Sequence, residues 1–292
     1  MTLRITMPFL GTWECRNGRN MIDIHCHLLP GIDDGPMDLA TSLEMSRIAV
    51  ADGITTTFCT PHIYPGLYEN NAADIRHRVA NLQLILQNQN IPLTLNFGAD
   101  AHLVPGLLDA IRGGRVPTLG DSRYLLLEPS HHVCPPRFCE SVFELIGAGY
   151  VPVITHPERL TWAQDHLEDF FALARSGAWM QVTGGALTGK FGARVQRLAE
   201  RFVGDGWTAV LASDAHTTNR RAPQLREALA RASELVGADE ARRMVLDRPR
   251  LIVSNSAPNE APAPPALLPT GRSNAGIMQG RLSRWFSRTP KL

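Results

Sequence analysis

The sequence predicts an α/β fold, a distorted (β/α)7 barrel of the TIM type. Three observations predict it. Short apolar or β-branched runs alternate with amphipathic helical patterns along most of the chain. Those runs are apolar almost continuously, as strands of a parallel sheet covered on both faces are. The chain has 292 residues, 44% of them hydrophobic and 20% charged, which suits one soluble barrel of this kind.

Residues 1–20 read as a loose N-terminal extension, and Met21, which opens the first strong strand pattern, is a candidate start of translation. Seven strand runs follow, at 21–25, 54–60, 93–98, 124–128, 151–155, 179–183 and 209–213, each bounded by turn residues. The stretches between them carry helical periodicity. "DLATSLEMSRIAVADG" places Leu39, Leu43, Ile48 and Val50 among polar residues and stops at Gly53; "ADIRHRVANLQLILQNQN" and "CESVFELIGAGY" behave alike. The barrel is expected to occupy residues 21–256. Residues 257–292 begin "APNEAPAPPALLPTG" and read as a Pro-rich, basic, disordered tail. Its tip places Leu282, Trp285 and Phe286 on one helical face.

Charge and cysteine content narrow the function. The net charge of +1 gives no argument for nucleic acid, but the two ends are basic, leaving −5 on residues 21–256. That acidic body suits metal-binding carboxylates. Five cysteines, odd in number and without a C-x-x-C pair, point to a reducing compartment and no disulfide framework. The N-terminus lacks the long apolar segment of a signal peptide, and no run approaches a transmembrane helix, so a cytoplasmic location is expected.

The polar residues at the strand ends carry the chemistry. His25 and His27 close the first strand run, and His62 follows the second. Asp100 follows the third, Glu128 ends the fourth, His156 ends the fifth, and Asp214 and His216 follow the seventh. In a parallel barrel these C-terminal strand ends converge on one face. Residues i and i+2 of a strand point the same way, so His25 with His27, and Asp214 with His216, can each serve one ion. Several imidazoles with several carboxylates suit two or three divalent ions; ligand type leaves Mn, Zn, Fe and Co open. Cys26, between the two histidines, should face away. His77 and His166 sit in polar helical patterns and are expected to be solvated. His131 and His132, in a loop, and His102, two residues after Asp100, are secondary candidates. No cysteine starts a C-x5-R loop, which argues against a thiol nucleophile.

"DIHCHLLPGIDDGP", "ATSLEMSRIAVADGITTTFCTPH", "LGDSRYLLLE", "GYVPVITHPER" and "LASDAH" together resemble the PHP (polymerase and histidinol phosphatase) superfamily. Within it they resemble the bacterial capsule and exopolysaccharide tyrosine phosphatases, from about Met21 to Asn255. The resemblance implies a metal-dependent enzyme, with manganese the expected metal, that dephosphorylates a bacterial tyrosine kinase controlling polysaccharide export. It implies metal ligation by His25, His27, His62, Glu128, His156, Asp214 and His216, and by Asp33 or Asp34 of the "DDG" turn, with Asp34 favoured. Asp100 stands where the family usually has a longer, bridging Glu. Arg159 of "HPER" and Arg221 match arginines that hold phosphate. The rival readings are a small-molecule phosphoesterase of histidinol-phosphate type, a non-catalytic metal-binding regulatory module, and amide hydrolysis in a metal barrel. An oligomer is compatible with all of them.

Overall fold

The computed structural model describes residues 20–269. The expectations for residues 1–19, and for Leu282, Trp285 and Phe286, lie outside the described residues. The described chain carries nine strands: β1 Met21–Cys26, β2 Ile54–Cys59, β3 His62–Ile63, β4 Thr94–Phe97, β5 Asp100–His102, β6 Tyr124–Glu128, β7 Val151–Thr155, β8 Trp179–Thr183 and β9 Thr208–Ala212. Between and after them run α1 Leu39–Asp52, α2 Ala72–Asn88, α3 Leu107–Arg112, α4 Phe138–Gly147, α5 Leu167–Arg175, α6 Gly184–Leu187 and α7 Ala193–Gly204. Helices α8 Arg226–Val236, α9 Ala238–Arg242 and α10 Arg248–Ser254 complete the set.

All strand pairings are parallel, in two sheets ordered β1-β2-β4 and β3-β5-β6-β7-β8-β9. The expected α/β class with parallel strands is what the structure shows. The number of strands differs from the expected seven because two short strands, β3 and β5, follow the runs at 54–60 and 93–98. Pro61, which has no N–H to give to a ladder, separates β2 from β3. Gly98 separates β4 from β5, where an added Cβ would lie 2.7 Å from Leu119 Cδ2. Backbone bonds still run past both breaks, from Gly98 N to Cys59 O at 3.0 Å and from Asp100 N to Pro61 O at 3.1 Å. At the other margin, an isolated bridge pairs Cys26 with Ala215, and Asp214 N donates to His25 O at 2.8 Å. The ends of β1 and β9 therefore lie side by side.

Strands β1, β6, β7, β8 and β9 are buried along their whole length. Leu125 and Leu127 belong to the large core shared with the helices, whereas Tyr124, Leu126, Val153 and Val210 belong to a second core with Leu246, Leu251 and Ile252. Burial on both faces is the physical source of the unbroken apolar runs. Local signals set the helix ends: Asp38 accepts from Thr41 N at the start of α1, and Gly53, at φ +102°, ends it.

The chain does not leave the body at Ala257. Residues 257–269 lie against it, which corrects the start of the expected tail. The Tyr124 hydroxyl donates to Ser256 O at 2.9 Å, Ala266 N donates to Gly206 O at 3.1 Å, and buried Arg248 donates from Nε to Pro262 O at 3.0 Å. Proline-rich sequence reads as disordered because proline cannot join a ladder, yet its carbonyls still accept. Truncation after Pro269 is expected to leave thermal unfolding unchanged. Truncation after Asn255 is expected to cost about 1–3 kcal/mol, the scale of stripping a buried donor of its acceptor. Melting curves of the two truncated chains check this; equal curves would be the contrary result.

Candidate metal centre

The strand ends bring the expected residues together. His25 projects from β1 and His27 directly follows that strand, with their Nε2 atoms 3.2 Å apart. Their outer nitrogens are held: His25 Nδ1 lies 2.8 Å from Gln181 Oε1, and His27 Nδ1 lies 2.7 Å from Asp33 Oδ2. Fixing the outer nitrogen of an imidazole fixes the tautomer and aims the inner one. The two carboxylates of "DDG" take different places. Asp33 braces His27 and accepts from Gly35 N, while Asp34 Oδ1 reaches His216 Nε2 at 3.2 Å and His62 Nε2 at 3.5 Å.

Deeper in the cluster, Asp100 Oδ2 lies 3.3 Å from His25 Nε2 and 3.6 Å from His62 Nδ1. Glu128 Oε2 lies 3.1 Å from His62 Nδ1, and its Oε1 lies 3.5 Å from His156 Nε2. Asp214 Oδ1 is 3.5 Å from His25 Nε2 and 3.6 Å from His27 Nε2. His156 and Asp214 adopt left-handed backbone at φ +35° and +49°, which turns both side chains at the ends of β7 and β9. Non-glycine residues pay for that conformation and it concentrates at functional sites.

Two of the secondary candidates join the cluster. His102 pairs through Nε2 with Glu128 Oε2, and His131 Nε2 lies 3.1 Å from Glu128 Oε1. The signal for His102 was present in the sequence: Asp100-x-His102 repeats the i, i+2 geometry of His25-x-His27. His131 comes from a loop, where spacing says nothing about direction. His132 is exposed, as are the surroundings of His77, which bonds Asn81; His166 pairs with Asp169 at the surface. Asp33 and Gln181, which brace His27 and His25, were not singled out as such from sequence.

Both arginines reach the same place. Arg221 Nη2 donates to Asp214 Oδ1 at 2.8 Å, and Arg159 Nη1 donates to Asp214 Oδ2. Glu158 does not pair with Arg159; its Oε1 accepts from Thr183 N at 2.9 Å. The centre is buried, with Asp100 0% and Glu128 3% exposed, whereas the Asp34 side chain is 45% exposed and marks the mouth.

The electrostatics are strongly coupled. Burial works against a charged His25, but Asp100 and Asp214 outweigh it and lift its pKa to about 9. Burial is likewise overcome at His62, raised to about 10 by Glu128, Asp100 and Asp34. His27 and His156 go well below the ordinary value, through burial first and then neighbouring positive groups. Burial opposes a charged Asp214, yet Arg221 and Arg159 hold its carboxyl well below the carboxylate range. Asp34, against its own burial, is drawn down to about 2 by His216, His27 and His62.

The donor set fits divalent metal. Four groups have ligand atoms mutually within 4.8 Å: His27, Asp34, His62 and His216; His25, His27 and Asp100; His62, His102 and Glu128; and Glu128, His131 and His156. Asp100 Oδ1 is buried without a hydrogen-bond partner, and Asp100 Oδ2, Glu128 Oε2, His62 Nδ1 and His216 Nε2 are buried with only the close carboxylate–imidazole contacts given above. So many buried carboxylate oxygens and imidazole nitrogens crowded in one spot are costly unless a cation is shared among them. The donors are nitrogen and oxygen only, since Cys26 Sγ turns towards Ala215 O, as its alternation with the histidines requires. Burial pushes the Cys26 thiol well up and the Cys139 thiol to about 12, so neither is poised as a nucleophile.

Residues 21–254 match the family described as "Capsular polysaccharide synthesis, CpsB/CapC". The tyrosine-protein phosphatase YwqE of Bacillus subtilis is 38% identical over 211 residues, which cover 72% of this chain and 82% of that protein. The putative tyrosine-protein phosphatase CapC of Staphylococcus aureus is 30% identical over 209 residues, covering 71% and 81%. A solved structure from work on B. subtilis YwqE and Streptococcus pneumoniae CpsB, described as unique metal-dependent tyrosine phosphatases, superposes with a TM-score of 0.78. Identity there is 33%, with 84% of this chain and 99% of that chain covered. A histidinol phosphate phosphatase from Lactococcus lactis shares the fold at a TM-score of 0.51 and 10% identity. No helix among the described residues is long and apolar enough to cross a membrane.

Proposed function

Because the chain belongs to the CpsB/CapC family of capsular polysaccharide synthesis, we propose that it is a metal-dependent protein-tyrosine phosphatase. Its substrate on this reading is the phosphotyrosine of a bacterial tyrosine kinase in polysaccharide synthesis and export, and it acts in the cytoplasm. The observation that carries the reading is the buried cluster of imidazoles and carboxylates with two arginines on its rim. The same reading takes β2 with β3, and β4 with β5, as single bent strands, giving a distorted (β/α)7 barrel.

His25, His27, Asp34, His62, Asp100, Glu128, His156, Asp214 and His216 would hold two or three divalent ions, manganese foremost, with His102 and His131 as added donors. Metal bound there would activate water and offset the charge of the phosphoryl group. The chain's own residues do the rest. Arg159 and Arg221 present planar guanidinium forks, which match phosphate oxygens. Gln181 and Asp33 keep His25 and His27 aimed. Asp100 is one methylene shorter than the bridging carboxylate usual in the resembled family, and His102 beside it supplies a further donor to the same region. A phenolate leaving group, of pKa ~10, needs little protonation, so aryl phosphates are the easier substrates for such a site.

Metal analysis followed by parallel assays tests the reading. Chelation is expected to reduce hydrolysis of a tyrosine-phosphorylated peptide to background and Mn to restore it, with thiol alkylation without effect. Histidinol phosphate turning over faster than the peptide would instead favour the small-molecule phosphoesterase. Asp33→Ala is expected to weaken metal affinity about 10- to 100-fold, the scale for removing a group that orients a ligating histidine. Metal titration reads this directly, and unchanged affinity would remove Asp33 from the scheme.

A further inference from the structure

Arg159 leaves a short turn, Pro157–Arg159, after β7, and such a position does not by itself hold a long side chain still. One contact lies outside the metal cluster. The Arg159 guanidinium carbon sits 4.6 Å from the centroid of the Phe191 ring. That ring is placed by a glycine-built loop following α6. Gly189 and Gly192 flank Lys190 and Phe191 at φ +84° and +88°, and Gly192 N donates to Gly189 O at 3.0 Å. Gly192 combines its φ of 88° with ψ 164°, a region essentially confined to glycine. Lys190 N donates to Gly185 O at 2.8 Å, which ties the loop back to α6. A Cβ on Gly185 would lie 3.1 Å from Phe191 Cε2, so the ring rests close against the bare Gly185 backbone.

We propose that Phe191 is a positioning residue for Arg159: held close to Gly185, with the guanidinium carbon over its ring, it orients the arginine toward a phosphoryl group at the metal centre. The inference rests on the phosphate-binding reading of Arg159. A ring against the face of a guanidinium engages its plane and leaves its in-plane N–H donors free. Asp214 holds the fork at one edge through Nη1. A carboxylate alone would leave the plane free to rotate about that contact; the ring removes that freedom without competing for the remaining donors. The same arrangement explains why the loop carries left-handed glycines on both sides of a partly buried aromatic residue.

The test uses the metal-loaded full chain and a small aryl phosphate. Phe191→Leu keeps an apolar side chain and removes the π face. It is expected to lower kcat/KM about 5- to 10-fold, on the scale of a partly desolvated cation–π contact. Inhibition by inorganic phosphate should weaken by a similar factor, with metal stoichiometry and melting temperature unchanged. Phe191→Tyr, which keeps the ring, should stay within about twofold of the parent. In an Arg159→Ala background, Phe191→Leu should add less than about twofold, because contacting residues are coupled. Phe191→Met replaces the leucine variant if that one does not retain its metal. Full activity in Phe191→Leu, or an equal loss with and without Arg159, overturns the positioning role while leaving the phosphate-binding role of Arg159 standing. Full activity in Arg159→Ala alone overturns that role, and the positioning inference with it.

Discussion

Arg159→Ala and Arg221→Ala are each expected to cut turnover of an aryl phosphate by about 10²- to 10³-fold, the scale of removing an oriented donor from a transition state. Bound metal should be unchanged in both. A guanidinium cannot ligate a cation, so its loss acts on the phosphoryl group. Both side chains approach from loops just past the strand ends, Arg159 three residues after His156 and Arg221 five after His216. Both end on Asp214. That shared anchor makes the metal measurement decisive, because each arginine also helps keep the Asp214 carboxyl ionised. If either variant fails only because metal is lost, the arginines serve Asp214 and not phosphate. Lysine should rescue in part, since it keeps the charge and loses the fork.

Arg248→Ala is expected to destabilise the protein by about 3–5 kcal/mol, the cost of breaking a buried ion pair from one side. Arg248 is 1% exposed. Its Nη1 donates to Ala209 O at 3.0 Å at the start of β9, its Nη2 to Glu240 Oε1 at 2.7 Å, and its Nε to Pro262 O at 3.0 Å. One side chain thus joins a strand, α9 and the Pro-rich segment after α10. Removing it strips Glu240 of one of its two arginines; Arg243 Nη1 remains at 3.0 Å. Set against a typical total of about 5–15 kcal/mol, the loss is large. Denaturant midpoints measure it, and a change under 1 kcal/mol would mean that the pair contributes little. Arg248→Met should cost less, since it fills the volume without a charge.

The sequence made most of this architecture legible for one physical reason. A parallel sheet buries both faces, so strands such as β6, β7 and β8 appear as apolar runs whose limits match the structure residue for residue. Past Pro61 and Gly98 the pairing resumes in β3 and β5, of two and three residues, too short to show a hydropathy pattern, and both went unseen. The same split holds at the site. Residues on strand ends, such as His25, His27 and Glu128, have directions set by the pleat, so spacing alone brought them together. His131, Arg159 and Arg221 stand on loops, where direction depends on turns; the two arginines were found by resemblance only. Arg248 gave no signal at all, because an arginine beside Asp247 and near Arg250 reads as one more charge on a solvated helix face.

The segment after α10 has a geometric corollary. Its anchors, Gly206, Ala209 and the residues preceding β6, all lie where strands begin, whereas the histidines and carboxylates lie where strands end. Strands of five residues, at ~3.3 Å per residue, interpose roughly 17 Å of sheet. The described segment up to Pro269 therefore lies at the pole opposite the mouth of the metal cluster. Substitutions within residues 257–269 are therefore expected to act on stability and to leave the metal centre at the far ends of the strands as it is.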